Sequence, residues 1–432
     1  MTAMPQHHTY PGYQRSCGWN DLLAKREPAP ALEDSQRADV VVIGAGFTGM
    51  AAARYWARQR PDQSVYLLDA SHVGEGSPGR NSGFLLEIAL ANDAATDQLL
   101  RMGEINRLSR QTVARLKLFI EEHAIDCQWR QSGTYRAAAG DAGMKSLTAY
   151  RTFLQAAGLE FEELSRAQLA ERTGSAYYRA GLYSPDCTLV QPAALIRGLV
   201  DNRPGNISLF EHSPVTTLAH DHQHWRVTTP RGEVQARHVI LANNAFSRHL
   251  GADPARLSVI YTYAALTAPL PDAVWQRLGA GCWGLLPAHR LGCTLRTTAD
   301  RRLLIRSEYS FEQESDNDAV ALKLQASLQR RYPDLALPFT HVWGGTTGFT
   351  HNGAPLWGEI GPRLHVAAGC NGGGVVKGTL LGELLARQAL GETVPDIARL
   401  FGQASWMPPQ PVRRLGFQLV SNWEKHRAKD ER

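Results

Sequence analysis

The sequence has no hydrophobic run long enough to cross a membrane. Its most apolar stretch, residues 40–53, is interrupted by glycines and is shorter than the ~20 residues that a spanning helix needs. Residues 1–8 also lack the basic region and the apolar core of a signal peptide. We therefore predict neither a membrane span nor secretion, and we expect a cytoplasmic protein.

Paired cysteines and clustered positive charge are lacking as well. The six cysteines form no CxxC pair and no zinc-ligand spacing, so we predict no metal site and a reduced compartment. Only seven of the 46 basic residues are lysine, and the basic residues are spread along the chain instead of forming a stripe. The net charge of +5 therefore indicates a solvated surface, and we predict no nucleic-acid partner.

What the chain does have is length and apolar content. With 432 residues, 43% of them hydrophobic, it can form two or three globular units. A chain of this size buries roughly three quarters of the surface that its unfolded form exposes. This leaves room for an internal cavity that holds a cofactor.

A strand, a glycine turn and a helix open the folded part of the sequence. Residues 38–43 are a short β-branched run typical of a buried parallel strand, residues 50–58 favour a helix, and residues 65–69 form the next strand. The three segments predict a βαβ unit with a right-handed crossover.

The turn of this unit carries a GxGxxG motif formed by Gly44, Gly46 and Gly49, with Asp69 at the end of the second strand. In this context the glycines permit a tight turn, the approach of a pyrophosphate to the helix N-terminus and close packing of helix on strand. Asp69 would accept a hydrogen bond from a ribose hydroxyl. The motif therefore predicts a dinucleotide site.

Two further glycine-rich segments extend this prediction. The loop at residues 74–83 offers backbone N–H groups, two hydroxyls and one guanidinium, which together can cradle a diphosphate. Residues 363–369 then form a strand, residues 370–375 a second glycine turn, and the helix that follows runs to about residue 389. We interpret the two turns as halves of one nucleotide site.

Hydrophobic spacing predicts the elements between these turns. The predictions are one or two amphipathic helices over residues 92–123, helices over 144–157, 192–200 and 319–331, and strands over 128–136, 207–211, 224–229, 238–242, 258–268 and 291–308. Residues 1–37 show no clear period, and we predict an irregular arm on the surface or a frayed terminus.

Several segments occur in the order typical of the D-amino-acid oxidase superfamily, and the chain most resembles its γ-glutamylputrescine oxidase branch. The resemblance spans residues 38–392. It rests on residues 38–83, 129–135 (WRQSGTY), 181–186 with 190–195, 239–245 and 369–375.

The resemblance implies a mixed α/β fold in which a Rossmann-like FAD-binding domain is intertwined with a substrate domain made of a β-sheet plus helices. The implied division is a FAD-binding domain at residues 38–95, 186–255 and 340–395, a substrate domain at 96–185 and 256–339, an N-terminal arm at 1–37 and a C-terminal tail at 396–432.

It also implies FAD as the cofactor, held by residues of both turns and of the loop between them. The implied FAD-binding residues are Gly44, Gly46, Gly49, Asp69, Ser77, Arg80, Asn81, Ser82, Val215, Gly369, Asn371, Gly372 and Gly373, with Lys377 as a further candidate contact. Relatives that tether FAD use a cysteine which residues 344–355 of this chain lack. We therefore predict non-covalent FAD.

The activity implied by the resemblance is oxidation of a C–N bond in a small amine or amino acid, with hydride passing to flavin N5 and water hydrolysing the imine. Oxygen is the expected acceptor. The alternatives are a dehydrogenase that uses a quinone or a carrier, and a FAD-binding assembly subunit without catalysis. The oligomeric state stays open.

Residues for the substrate pocket are taken from the second β-rich stretch and the segment before the second turn. The candidates are Arg306, His351, Tyr261 and Arg296, with Tyr263 and Trp283 as further possible pocket walls. A buried arginine on such a strand needs a carboxylate, and the substrate can supply it.

Overall fold

The protein is described by a computed structural model that covers residues 9–87 and 96–432. Its strands are β1 Asp34–Ile43, β2 Val65–Leu68, β3 Phe84–Leu86, β4 Arg130–Gln131, β5 Thr134–Ala138, β6 Glu162–Ser165, β7 Ala180–Ser184, β8 Cys187–Leu189, β9 Ile207–Phe210, β10 Thr217–His220, β11 Trp225–Thr228, β12 Gly232–Leu241, β13 Ser258–Thr267, β14 Gly284–Pro287, β15 Thr294–Thr297, β16 Leu303–Phe311, β17 Phe339–Phe349, β18 Leu356–Gly361 and β19 Leu364–Ala368.

The helices lie between these strands and after them. They are α1 Gly18–Asp21, α2 Phe47–Gln59, α3 Ser77–Arg80, α4 Thr96–Glu122, α5 Asp141–Ala156, α6 Arg166–Thr173, α7 Pro192–Asp201, α8 Asp272–Arg277, α9 Asn317–Arg331, α10 Val376–Ala389, α11 Ile397–Phe401 and α12 Val412–Arg427, with 3₁₀ turns at Asn244–His249 and Lys429–Glu431. Within the described residues, no helix is long and apolar enough to cross a membrane.

The first large sheet has the strand order β10-β11-β12-β1-β2-β9, and β19 joins it on β12. Strand β1 is parallel to both β12 and β2. Because successive side chains of a strand point to opposite faces, Val40 and Val42 pack into one core with α2, α7 and α10. Val41 and Ile43 pack into another core on the opposite face. The predicted βαβ unit and its Rossmann-like sheet are confirmed.

The second large sheet has the order β17-β13-β16-β15-β14-β5-β7-β6 and is mostly antiparallel. One of its faces packs against a core that includes residues of α9. Its strands come from residues 134–184 and 258–349, so the chain leaves the first sheet and returns to it more than once. The mixed α/β fold with intertwined sheets is confirmed.

Two predicted strands are wrong in extent. Residues 128–136 form two short strands, because Gly133 between them has φ +63° and turns the chain. Strand β4 pairs with β8 in a small third sheet, and β5 joins the second large sheet. Residues 291–308 likewise form β15 and β16, which pair as an antiparallel hairpin whose turn contains Arg301 at φ +60°.

The N-terminal arm is neither irregular throughout nor confined to the surface. Cys17 and Trp19, at the start of α1, are fully buried. The indole of Trp19 packs edge-on against Trp343 and donates a hydrogen bond to the Asn81 carbonyl oxygen at 2.8 Å. The aperiodic sequence hides this burial, because an apolar side chain in an irregular segment leaves no helical or strand period.

Sheet pairing suggests a revised division into domains, which we propose. Strand β17 pairs with β13 along its whole length, so residues 340–349 belong with the proposed substrate domain. The proposed FAD-binding segment then begins after residue 349. The boundary expected at residue 95, the first eight residues of the expected arm and the expected helix start at residue 92 lie outside the described residues.

Candidate functional site

A single continuous cavity of about 830 Å³ lies between the two large sheets. Both glycine turns line it, as do the loop at residues 74–83 and one face of the second sheet. Its volume is within the range of sites that hold small ligands and cofactors. More than 300 residues separate the two glycine turns in the sequence, and the fold brings them to one site.

The first glycine turn joins β1 to α2 at one end of the cavity. Gly44 has φ +104°, a conformation that favours glycine, and its N–H donates to the Leu68 carbonyl oxygen at 2.7 Å. A Cβ on Gly49 would overlap the carbonyl oxygen of Gly44, which explains how closely α2 packs on the turn. Gly44 and Gly46 line the cavity and Gly49 does not. No side chain caps the N-terminus of α2, which leaves backbone N–H groups for a ligand.

Asp69 lies at the end of β2 and also lines the cavity. Its carboxylate accepts hydrogen bonds from the N–H groups of Ala45 at 2.9 Å and Ser71 at 3.1 Å. Burial raises the pKa of the Asp69 carboxyl to about 6, although these two hydrogen bonds act in the opposite direction. Asp69 thus ties the glycine turn to the end of the neighbouring strand.

The loop at residues 74–83 supplies seven of the residues that line the cavity. The hydroxyl of Ser77 is 2.9 Å from that of Thr346 on β17, and both residues line the cavity. The amide of Asn81 donates to the Pro78 carbonyl oxygen at 2.6 Å, and its side-chain oxygen accepts from the N–H of Gly83. Each of these bonds lies within the loop or between the loop and the second sheet, so they hold the loop in place.

Arg80 also lines the cavity, but protein groups occupy its guanidinium. It donates to the carbonyl oxygens of Gly344 at 2.9 Å and Arg15 at 2.9 Å, and to the Glu75 carboxylate at 3.1 Å. The ring of Tyr13 lies 3.7 Å from the guanidinium carbon. Arg80 therefore fixes the loop against the N-terminal arm and β17.

The second glycine turn joins β19 to α10 on the other side of the cavity. Asn371 has φ +50°, and its amide donates to Gly369 at 2.8 Å, to Thr350 at 3.0 Å and to Gly353 at 3.1 Å. Asn371 and Gly372 line the cavity, as does Gly373, whereas Gly369 does not. Gly369 instead donates its N–H to the Asn244 side chain at 2.9 Å.

Helix α10 begins after this turn and packs directly on α2. A Cβ on Gly382 would overlap the Thr48 carbonyl oxygen, so the glycine allows the two helices to touch. Lys377, in the first turn of α10, lines the cavity and donates to the Gly353 carbonyl oxygen at 3.3 Å. Burial lowers the pKa of the Lys377 amine, with Cys370 acting in the opposite direction. The N-terminus of α10 is also without a side-chain cap.

The N-terminal arm forms part of the cavity wall, which sequence reasoning missed. Thr9 lines the cavity beside Val215, and its hydroxyl donates to the Val215 carbonyl oxygen at 2.5 Å. The amide of Asn243 donates to the Thr9 carbonyl oxygen at 3.2 Å. No motif in residues 1–37 signals this role, since it depends on where the fold leaves the arm.

The face of the second sheet closes the opposite end of the cavity. Arg306 on β16 is the cross-strand neighbour of Ala264 on β13 and of Thr294 on β15, and all three line the cavity. The ring of Tyr309 lies 5.8 Å from the Arg306 guanidinium carbon. Among the side chains that the structure describes, those of residues 9–87 and 99–432, no carboxylate pairs with Arg306.

The other three candidates for the substrate pocket do not line the cavity. Arg296 is buried, and its guanidinium donates to the carbonyl oxygens of Val190 at 2.7 Å and Ser82 at 2.9 Å. Tyr261 packs edge-on against Tyr13, with ring centroids 6.3 Å apart. His351 is exposed in the connection between β17 and β18.

Of the two aromatic candidates for pocket walls, Tyr263 and Trp283, only the first is part of the cavity lining. Tyr263 lines the cavity, and its hydroxyl lies 2.6 Å from that of Ser310. Trp283 is buried away from the cavity, and its indole donates to the Leu278 carbonyl oxygen at 2.7 Å. Arg136 on β5 lines the cavity and was missed, because a strand alternation does not show which face of the sheet meets the ligand.

The lining fits an elongated ligand with a phosphate centre and polar edges. Ser82 Oγ and Asn243 Oδ1 are buried, line the cavity and have no hydrogen-bond partner among the described residues. Buried polar atoms of this kind are costly unless a ligand or water satisfies them. Two helix N-termini without side-chain caps, α2 and α10, add unused backbone N–H groups. A dinucleotide flavin matches this set of groups.

A family model described as "FAD dependent oxidoreductase" (DAO) matches residues 39–388. The chain is 27% identical over 382 residues to a probable oxidoreductase OrdL of Haemophilus influenzae, covering 84% of this chain and 85% of that protein. It is 26% identical over 383 residues to the gamma-glutamylputrescine oxidoreductase of Escherichia coli, covering 85% and 87%.

Solved structures show the same fold. Glycine oxidase from Geobacillus kaustophilus superposes with a TM-score of 0.73 at 21% identity, covering 87% of this chain and 100% of that one. L-proline dehydrogenase from P. horikoshii superposes with a TM-score of 0.67 at 17% identity, covering 85% and 96%.

Proposed function

Because the chain belongs to the DAO family of FAD-dependent oxidoreductases, we propose that it oxidises a C–N bond of a small amine that also carries a carboxylate. The product is an imine, which water hydrolyses to a carbonyl compound. The observation that carries the choice of substrate is Arg306, a guanidinium in the cavity lining without a carboxylate partner among the described residues.

The residues proposed to hold FAD are those of the two glycine turns and the loop between them. Gly44 and Gly46 would admit the pyrophosphate to the N-terminus of α2, and Asp69 would accept a bond from the adenosine ribose. Ser82 and Asn243 offer buried polar atoms that need a partner. We keep Ser77, Asn81, Val215, Gly372 and Gly373 as proposed contacts, since each of them lines the cavity.

When bound, FAD supplies the two-electron acceptor that a C–N oxidation requires. The chain's own contribution is to position the substrate and to exclude water. Buried apolar side chains such as Met102 and Ile105 line the cavity together with Leu286 on β14. A wall of this kind keeps the reacting carbon dry and orients it without forming bonds to it.

Arg306 is proposed to bind the substrate's carboxylate. It lies in a row with Ala264 and Thr294 on the cavity face of the second sheet, so the rigid sheet sets its position. A guanidinium that lines a cavity and has no ion-pair partner among the described side chains gains most from an anion that enters with the substrate. The name of the gamma-glutamylputrescine relative describes an amine that carries such a carboxylate.

The amine is proposed to react in its neutral form. Neither histidine nor glutamate is among the described residues that line the cavity, and the aspartate among them, Asp69, lies at the end with the first glycine turn. Since the described lining beside Arg306 holds no carboxylate or imidazole to take a proton, we propose that the amine loses its proton before the reaction. The rate is then controlled by the amine's own pKa.

Oxygen is the proposed acceptor, and the similarity to glycine oxidases supports it. The test of the function is a screen of amines and N-methyl amino acids for anaerobic bleaching of the flavin. Bleaching by carboxylate-bearing amines supports the proposal, and no bleaching by any of them favours a subunit without catalysis. Hydrogen peroxide measured under air then tests oxygen against a quinone or carrier.

A further inference from the structure

The C-terminal helix α12 presents an apolar face that no described part of the chain covers. Five large apolar side chains on this face are more than half exposed: Val412, Leu415, Leu419, Val420 and Trp423. Their spacing of three, four, one and three residues places them on one continuous side of the helix. We name this side the C-terminal apolar face.

The opposite side of α12 fixes the helix to the protein with this face outward. Phe417 stacks on Phe311 of β16 with ring centroids 4.9 Å apart. Arg413 donates to the carbonyl oxygens of Pro408 at 2.8 Å and Leu257 at 3.1 Å. These contacts place α12 against β16 and the segment around Leu257, with the apolar face directed to solvent.

Positive charge accompanies the apolar face. Arg427 is exposed beside this face, with its guanidinium 4.6 Å from the Trp423 ring centre, and Arg414 is exposed on another side of α12. The acidic residue of the helix, Glu424, is held by Arg290 at 2.8 Å and His289 at 3.1 Å, so its charge is paired within the protein. The outer surface of α12 is thus both apolar and basic.

We propose that the C-terminal apolar face docks on the surface of an anionic phospholipid bilayer, with α12 lying in the plane of the interface. An amphipathic helix with an apolar side, a tryptophan and flanking arginines has the composition of interfacial helices. Trp406, exposed shortly before α12, adds a second interfacial ring. This proposal does not depend on the reaction proposed above.

Charge and area favour a bilayer over a second copy of the chain. Two copies packed face to face would bring the arginines of both helices together without carboxylates to pair with them. A stable dimer also buries about 800 Å² per partner, which is more than one face of a four-turn helix offers. An anionic lipid surface requires neither a matching partner nor a large area.

The proposed docking would place one end of the cavity at the membrane. Arg290, which Glu424 of α12 holds, lines the cavity and is two-thirds exposed. The carbonyl oxygen of Arg290 also accepts a hydrogen bond from Tyr309, another lining residue. The docked helix would then lie beside this end of the cavity, with the side of α12 that carries Glu424 facing it.

The test is flotation of the full-length holoenzyme with vesicles. We expect binding to vesicles of phosphatidylcholine mixed with phosphatidylglycerol, weaker binding as salt rises, and little binding to phosphatidylcholine alone. Leu419→Glu, at a position 64% exposed, should reduce the bound fraction about tenfold or more. The matched control Leu322→Glu alters a 75% exposed leucine on α9 and should bind like the unmodified protein.

Three results would overturn the proposal. They are failure of the unmodified protein to float with anionic vesicles, equal binding by Leu419→Glu, and equal binding to neutral vesicles. Light scattering tests the alternative that a second copy of the chain covers this face. A dimer that dissociates in Leu419→Glu would assign the face to that second copy. Flavin absorbance and circular dichroism of both variants confirm folding, and both altered leucines are exposed, so neither change disturbs the core.

Discussion

The N–H of Ala45 donates a 2.9 Å hydrogen bond to the carboxylate of Asp69, which joins the first glycine turn to the end of the neighbouring strand. The sequence separates these residues by a whole helix, and the parallel pairing of β1 with β2 brings them together. The carboxylate is held in a buried position at the cavity wall. Its burial has a consequence for stability that experiments can measure.

Asp69→Asn should change how the stability of the apoprotein depends on pH. The pKa of Asp69 is raised to about 6 in the folded protein, above the unfolded value, so its ionisation opposes folding. This contribution is absent below about pH 4 and grows until about pH 6, where it reaches on the order of 3 kcal/mol. Urea unfolding at pH 4 and pH 7 measures how much unfolding free energy is lost between the two pH values. This loss should be smaller in Asp69→Asn than in the unmodified apoprotein. The same loss in both proteins would contradict the assignment.

Arg296→Met should destabilise the protein without removing substrate binding. The change leaves the carbonyl oxygens of Ser82 and Val190 without their buried donor, at a cost of about 2–4 kcal/mol. Urea unfolding of the holoenzyme measures this cost, and the exposed Arg226→Met provides the control. The substrate's dissociation constant should stay within about threefold. If it weakened a hundredfold while stability stayed unchanged, Arg296 would belong to the pocket after all.

FAD should leave the protein when it is denatured with acid. The cysteine that lines the cavity is Cys370, whose sulfur accepts a hydrogen bond from the Asn244 amide at 3.2 Å. Residues 344–355 contain no cysteine. The supernatant after precipitation should therefore hold the yellow colour, both for the unmodified protein and for Cys370→Ser. Colour retained in the pellet of the unmodified protein and lost in that of Cys370→Ser would identify a covalent link.

The second-order rate constant for flavin reduction should rise with pH and level off near the pKa of the substrate's amine. The described lining beside Arg306 offers no carboxylate or imidazole that could act as the base. Stopped-flow measurements with two substrates whose amines differ in pKa give two pH profiles of this rate constant. The midpoints of the two profiles should differ by the difference between the two amine pKa values. A midpoint that stays fixed for both substrates would point to a titrating group of the protein.

The nucleotide half of the site could be predicted in large part, because its requirements are local. A glycine at positive φ, such as Gly44, and an acid at a strand end, such as Asp69, leave a pattern in the sequence. The two turns do line one cavity. Gly49 and Gly369 are not part of the cavity lining, and at both positions neighbouring atoms leave no room for a Cβ.

The substrate half could be predicted only in part, because it depends on which parts of the chain pack over each position of the sheet. Arg306 and Arg296 lie on the same face of one hairpin, since Arg306 pairs with Thr294, two residues before Arg296. Arg306 lines the cavity, whereas the carbonyl oxygens of Ser82 and Val190 occupy the guanidinium of Arg296. The role of Thr9 in the wall follows from packing of the arm, which has no period in the sequence.

The central claim is that Arg306 binds the carboxylate of an amine which the flavin oxidises. Its most direct test is anaerobic flavin reduction with an amino acid and with the amine left after removal of its carboxyl group, for the unmodified protein and for Arg306→Gln, with the exposed Arg301→Gln as control. We predict that Arg306→Gln weakens the dissociation constant of the carboxylate substrate about 10–100-fold and leaves that of the other amine within about twofold. Equal weakening for both substrates, or none for either, would contradict the account.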